Sequence, residues 1–349
     1  MEIRFYNQNM SFLGVMENHR SMIWTRKYYE PGKVMLVCPF TEENLRLTQR
    51  KNLIWMKGRK EAAVIESRHI TDEASKSQIE VNGRFMSSYM DRRLIRPKVV
   101  YDGTVELAMR QLLSGAVALP RVTLGQLNGF EETVSFQATY KNLLTYEIKL
   151  SKCSDIAFRL RPDFEAKVIY FETYKGTDHT AGQTANQRII FSEAYDNLEK
   201  AEYQENDQLE KTTVYIGGQG QGDDRVIVSF GEEYTGLDRR ELFVDARDLT
   251  KQSGMSDQTY AEKLLQRGKE AQAENRLTES FDCEILPDGN FVYRRDYDLG
   301  DIVTVRKKAW GITRDLRITE VQEIYERGAM KIVPVFGDAI PETIDWSDE

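Results

Sequence analysis

Both ends of this chain are written in short runs of β-branched, aromatic and aliphatic residues, each cut off by a turn former before it is long enough to make a helix. A run of that length buries a face only by pairing with others, so the pattern demands sheets. "SMIWTRKYYE" and "KVMLVCPF" are separated by "EPGK" at Glu30–Lys33. "NLIWMKGRKEAAVIESRHI" reads as a hairpin turning near Gly58–Lys60. "SQIEVNGRF" reads as a strand ending at Asn82–Gly83, a favoured tight-turn pair. Strands at this spacing predict a small barrel or sandwich over residues 1–100.

The text changes at about residue 101. In "DGTVELAMRQLLSGAV" the residues Val105, Met109, Leu112 and Leu113 form one helical stripe, with Asp102 or Thr104 placed to cap it and Gly115 to end it. "SFQATYKNLLTYEIKLSK" predicts a second helix with Tyr140, Leu143, Leu144 and Ile148 turned inward. "IAFRLRPDFEAKVIYFETYKG" returns to strand, turning at Pro162–Asp163. Strands resume in "QRIIFSEAY", "KTTVYIGG" and "DRVIVSFGEE". A charged helix follows in "SDQTYAEKLLQRGKEAQAENRL", capped by Ser256 or Asp257. It has Tyr260, Leu264 and Ala271 on one side, and its charge leaves only a narrow face to bury. "SFDCEIL", "GDIVTVRKK", "RDLRITEVQEIYERG" and "AMKIVPVFG" are strands, with Val303 and Val305 sharing one face and Val333 and Val335 another. Pro334 has no N–H to donate, which places its strand at an edge or ends it there.

Chemistry is hard to find in this text. "YIGGQGQGDDR" concentrates Gly217, Gly218, Gly220 and Gly222 before Asp223 and Asp224. A phosphate loop needs a lysine and a hydroxyl after its glycines, or a helix whose N-terminus meets the phosphate. Here two carboxylates and the strand-like "RVIVSF" follow. The spaced D-x-D-x-D-G order of a calcium loop is missing too. A long hairpin whose glycines allow positive φ and close backbone approach is the better account. His19, His69 and His179 lie in no HExxH or HxH spacing, and no GxSxG elbow exists. Carboxylate pairs such as Glu232–Glu233 and Asp296–Asp298 leave a glycosidase open, since its two acids need meet only across a groove. No catalytic residue, cofactor or metal is expected.

Charge and cysteine usage narrow the partners. With 48 Lys+Arg against 56 Asp+Glu the chain carries −8, the wrong sign for a protein that grips nucleic acid through phosphates. Cys38, Cys153 and Cys283 are dispersed and odd in number, so they read as buried thiols. No run of eighteen apolar residues exists, which argues against membrane insertion. "MEIRFYNQNM" lacks an apolar signal core, so assembly in the bacterial cytoplasm is expected.

Several stretches together resemble phage tail baseplate-hub proteins, which include the siphovirus tail-associated hubs and those of contractile tail-like particles. They are "LGDIVTV" (Leu299–Val305), "RITEVQEIYERG" (Arg317–Gly328) and "IVPVFG" (Ile332–Gly337), preceded by the hairpin "VYIGGQGQGDDRVIVS". "IEVNGRFMSSYMDRRLI" followed by "DGTVELAMRQLL" is similar to the family's junction between barrel and helices. The resemblance implies an α+β, mainly β chain with two tube-type β-barrels around an intervening α+β domain, plus a small helical insert. On this chain those become a first barrel at 1–100 and an α+β insertion at 101–185. The second barrel falls at 186–250 and 282–340, the helical insert at 251–281, and an extended acidic tail at 341–349. It further implies a non-enzymatic homotrimer in a virion baseplate or bacteriocin-like contractile injection particle, joining a six-fold tail tube to a three-fold spike. The implied partners are the tail tube or distal tube protein, the tape measure protein and a spike or fibre. An acidic protein suits a conduit through which DNA slides without sticking. The hairpin residues Gly217, Gly218, Gly220, Gly222, Asp223 and Asp224 are then expected to reach a neighbouring subunit. A β-rich carbohydrate-active enzyme and a cell-wall binding module remain the alternatives.

Overall fold

The element that organises the molecule is the strand Ile312–Glu326, fifteen residues long where five or six is usual. In the computed structural model the described residues are 2–73, 76–116, 118–195, 197–284, 290–326 and 329–337. The first part of this strand pairs antiparallel with Ile302–Lys307. Its second part pairs with Ser21–Lys27 on one side and Ala329–Gly337 on the other. The two β-rich ends of the chain therefore belong to one 13-stranded sheet. Its order runs from Glu199–Asn206 through Thr278–Glu284, Ala329–Gly337, Ile312–Glu326, Ser21–Lys27, Lys33–Pro39, Lys76–Phe85, Ala62–Glu73, Leu53–Met56 and Ile3–Tyr6 to Phe12–Met16. Ile302–Lys307 and Ile190–Ser192 branch from it. No ladder closes this order into a barrel among the described residues, and the fold is α+β, mainly β.

The length of the strand Ile312–Glu326 lets it serve two cores, and a register shift between Ile318 and Glu320 changes which of its residues are buried. Before it the buried residues are the even-numbered Leu316 and Ile318; beyond it they include the odd-numbered Val321, Glu323 and Tyr325. One extra residue exchanges the faces of a strand. Leu316, Ile318 and Val321 join Phe191, Phe281, Val303, Val305 and Phe336. Tyr325 joins Phe5, Trp24, Leu36 and Ile54 in the core of the first hundred residues.

The middle of the chain packs around a third core that includes Met109, Leu112, Phe136, Leu143, Leu150 and Phe171. Four α-helices form among the described residues. α1, Glu42–Leu47, was not expected; the Thr41 hydroxyl caps it by accepting from the Asn44 N–H at 3.1 Å. α2, Val105–Gly115, has Thr104 at its N-cap and buries the expected stripe. α3, Leu143–Ser154, starts later than predicted. Asn142 caps it, "TVSFQA" is a strand (Thr133–Ala138) pairing with Val99–Thr104, and Tyr140 is exposed rather than inward. The alternating Val134, Phe136 and Ala138 have the period of a strand, and that outweighed the helical reading.

α4, Asp257–Ala273, is capped by Ser256 and buries more than a narrow face. It lies between two sheets. On one side Gly268 is so close to its neighbour that a Cβ there would sit 2.7 Å from Ile216 Cδ1. On the other side the buried Lys263 ammonium donates to Ser135 Oγ (2.9 Å) and the Tyr101 carbonyl (3.1 Å). Charge did not keep that face in water because these oxygens satisfy it.

Two further expectations are corrected and one is narrowed. Asn82–Gly83 is no turn: Lys76–Phe85 runs straight through it, flanked on both sides. Gly83 is there for close approach, since a Cβ would sit 2.1 Å from the Val64 carbonyl oxygen. Pro334 does not end its strand; it lies on a locally open edge, because the outer ladder with Thr278–Glu284 covers only Val335–Gly337 among the described residues and stops beside it. Cys38 and Cys283 are buried, but Cys153 is exposed near the end of α3. The predicted acidic tail at 341–349, and Ile285 and Leu286 of "SFDCEIL", lie outside the described residues.

Candidate functional site

The glycine-rich hairpin belongs to a small sheet of its own. Thr213–Gly217 is its centre, paired antiparallel with Ile227–Phe230 and parallel with Glu241–Asp245. Side chains alternate along a strand, so one face takes Val214 and Ile216 onto α4, where Ala246, Leu249, Tyr260 and Leu264 complete a core. The other face receives Tyr215 opposite Ser229 and Phe243, and Gly217 opposite Ile227 and Asp245. The Arg225 guanidinium covers that face only in part: Phe243 is 55% exposed and Ile227 48%. Leu237, on the neighbouring turn, is 97% exposed.

The glycines divide into two roles. At the base, a Cβ on Gly218 would sit 2.6 Å from the Tyr260 hydroxyl, and one on Gly220 would sit 2.3 Å from the Asp224 carbonyl. The Gln219 N–H donates to that Tyr260 hydroxyl (2.9 Å), which in turn donates to the Leu249 carbonyl (3.0 Å). The Arg225 guanidinium donates to the carbonyls of Gly217 (2.8 Å) and Gly218 (3.2 Å) and to Asp245 (2.7 Å), and it lies over the Phe243 ring. The base is thus fastened to α4, not free to swing. At the tip, Gly222 has φ 56° with open space around it, and it opens the 3-10 turn that presents Asp223 and Asp224 to solvent. The arrangement is a fastened stalk with an acidic end beside a partly exposed apolar face.

The other candidate groups are dispersed. His179 Nδ1 lies 2.7 Å from the Gln187 carbonyl, while the neighbouring Asp178 accepts from the Thr180 N–H. Glu232 pairs with Arg239, Asp296 with Arg295, and Asp298 with Arg26. Among the described residues no three His, Cys, Asp or Glu side chains are grouped to hold a metal. Among the same residues no helix is long and apolar enough to cross a membrane.

One constellation escaped the sequence reading. Arg26, fully buried in the strand Ser21–Lys27, donates to Glu61 (2.9 and 3.1 Å), the Tyr293 hydroxyl (2.8 Å) and Asp298 (2.5 Å). Beside it Arg59 donates to Glu323 (2.5 Å) and the Tyr325 hydroxyl (3.0 Å). Arg59 ties the turn at 57–61 to residues 264 and 266 positions away in the chain, and Arg26 ties its strand to Tyr293, 267 positions away. Nothing in the local text around Arg26 marks it as buried, because its partners come from across the fold.

The family described as Siphovirus ReqiPepy6 Gp37-like protein matches residues 2–338. No curated protein matches the chain in sequence. Among solved structures it is similar to prophage tail protein gp18 from Listeria monocytogenes EGD-e, with 11% identity and a TM-score of 0.59 over 97% of this chain and 95% of that one. The 43 kDa tail protein of prophage MuSo2 from Shewanella oneidensis is also similar, with 12% identity and a TM-score of 0.59 over 96% and 98%. The tail protein from Neisseria meningitidis MC58 gives 12% and 0.58 over 97% and 96%.

Proposed function

The chain belongs to the Siphovirus ReqiPepy6 Gp37-like protein family, and from that membership we propose that it is a structural hub of a phage tail or tail-like particle. The observation that carries the reading is the family match along residues 2–338. Three copies form a ring that joins a six-fold tube to a three-fold spike. The two separate cores fed by the strand Ile312–Glu326 support two tube-type units per chain, and hence six per ring. The partners are the tube or distal tube protein, the tape measure protein and a spike or fibre. The role is non-enzymatic, and the place is the tail baseplate.

The hairpin Gly217–Asp224 reaches a neighbouring chain in this assembly. Its fastened base and exposed tip favour this, because an ordered stalk loses little entropy on docking. The test combines light scattering with particle assembly. The chain should form a trimer alone or on meeting its tube protein, and Asp223→Lys with Asp224→Lys should block incorporation while the thermal midpoint stays put. A chain that remains monomeric in the presence of tube rings sinks the hub reading. Undiminished incorporation of the double variant removes only the hairpin's part in it.

A further inference from the structure

The first and middle parts of the chain enclose a cleft of about 350 Å³. Four segments build it: the turn at Gln8–Asn9, the 3-10 helix Met86–Arg92 with Arg93, the loop 119–121, and Ile169 of the strand Val168–Tyr174. Its floor is apolar, made by the buried Met86 and Ile169, and Leu119 and Pro120 form one wall. Three arginines, Arg92, Arg93 and Arg121, line it, and no carboxylate does. Arg92 stacks on the Tyr89 ring at 4.7 Å, and Arg121 donates to the Lys167 carbonyl. Among the described residues neither is paired with a carboxylate, and both are exposed. In a chain of net charge −8, a cleft lined by three arginines and no carboxylate has the charge to attract an anion. A stacked guanidinium keeps its N–H edge oriented for a carboxylate.

We propose that this cleft binds an acidic, partly apolar peptide segment, namely residues 338–349 of this protein. That segment, "DAIPETIDWSDE", carries five carboxylate side chains and no cation. It also carries Ile340, Ile344 and Trp346, which give the apolar floor and wall something to cover. Carboxylates at Asp345 and Asp348 flank Trp346, so an aromatic anchor and its flanking charges enter together. Free phosphate would satisfy the arginines and leave Met86, Ile169 and Leu119 wet; the segment satisfies both. Twelve extended residues span ~40 Å, long enough to reach across a small domain or to an adjoining copy.

The test is a titration of a fluorescein-labelled peptide of residues 338–349, followed by anisotropy. The receiving protein is the full chain carrying Glu342→Lys, Asp345→Lys and Asp348→Lys, so that its own segment does not compete. Saturable binding is expected, weakened about tenfold or more by adding Arg92→Glu and Arg121→Glu. Lys152→Glu, in a different cleft, should leave it unchanged. Should the arginine reversals unfold the chain, Arg92→Gln with Arg121→Gln should weaken binding in the same direction. Three results overturn the proposal: no saturation up to millimolar protein, equal binding by the arginine variants, or complete displacement by equimolar inorganic phosphate.

Discussion

Replacing Arg26 by methionine is the most direct test of how the two ends of the chain are held together. Arg26 is buried and makes hydrogen bonds to Glu61, Tyr293 and Asp298. Methionine fills the space but leaves Glu61, itself buried, with a carboxylate that has lost its cation; one of its oxygens already lacks a partner. Breaking a buried pair from one side costs about 3–5 kcal/mol, because the remaining charge is neither solvated nor compensated. With a urea slope of about 3 kcal/mol per molar, the unfolding midpoint should fall by about 1–1.7 M. Tryptophan fluorescence reports it, since Trp24 lies in the same strand and Trp55 in an adjoining hairpin. Removing both charges, as Arg26→Met with Glu61→Leu, should recover most of the loss. A single variant that loses under about 1 kcal/mol, or a double variant no better than the single, refutes the claim that the buried Arg26–Glu61 pair stabilises this fold.

Two buried glutamates should give stability opposite dependences on pH. Both oxygens of Glu147 lack partners, and burial pushes its carboxyl well above the usual range. The folded protein keeps a proton that the unfolded chain releases above about pH 4.5, so this contribution is full below that pH and is lost as pH rises. Glu147→Gln should flatten that slope in a series of melts, and Glu147→Leu should add about 1–3 kcal/mol at neutral pH. Burial also acts to raise Glu106. The N–H groups of Asn128, Gly129 and Phe130 and the Thr173 hydroxyl outweigh it and hold the carboxyl below its usual value. Its contribution is therefore present above about pH 4.5 and lost on acidification, and Glu106→Gln should remove the acid-side slope. In the hairpin, Gly218→Val should cost about 1–3 kcal/mol through collision with Tyr260 and Leu264. Gly222→Ala, in open space at positive φ, should cost about 1 kcal/mol; equal thermal midpoints for these two variants would contradict the base-and-tip division.

Much of the local structure is legible in the text because its causes are local. The stripe of Val105, Met109, Leu112 and Leu113, the Ser256 cap and the alternation at Val303 and Val305 each rest on neighbours a few residues away. The hairpin at 217–224 was legible for the same reason, since four glycines before "RVIVSF" fit little else. Errors arose where a distant segment supplied the explanation. Gly83 looked like a turn until the Val64 carbonyl was placed beside it. α4 looked too charged to bury until Ser135 and the Tyr101 carbonyl met Lys263.

The amino-acid order alone determined a mainly β chain, a helical middle and a glycine hairpin, and through several degenerate stretches it pointed to the tail-protein family. Only the tertiary structure decided that both ends share one sheet through Ile312–Glu326, that Arg26 is buried against Glu61 and Arg59 pairs with Glu323, and which glycines are crowded and which are free. Periodicity and turn chemistry act over a few residues and are written in order along the chain. Ladder partners, buried ion pairs and close approaches join residues far apart in sequence, and they exist only once the chain has folded.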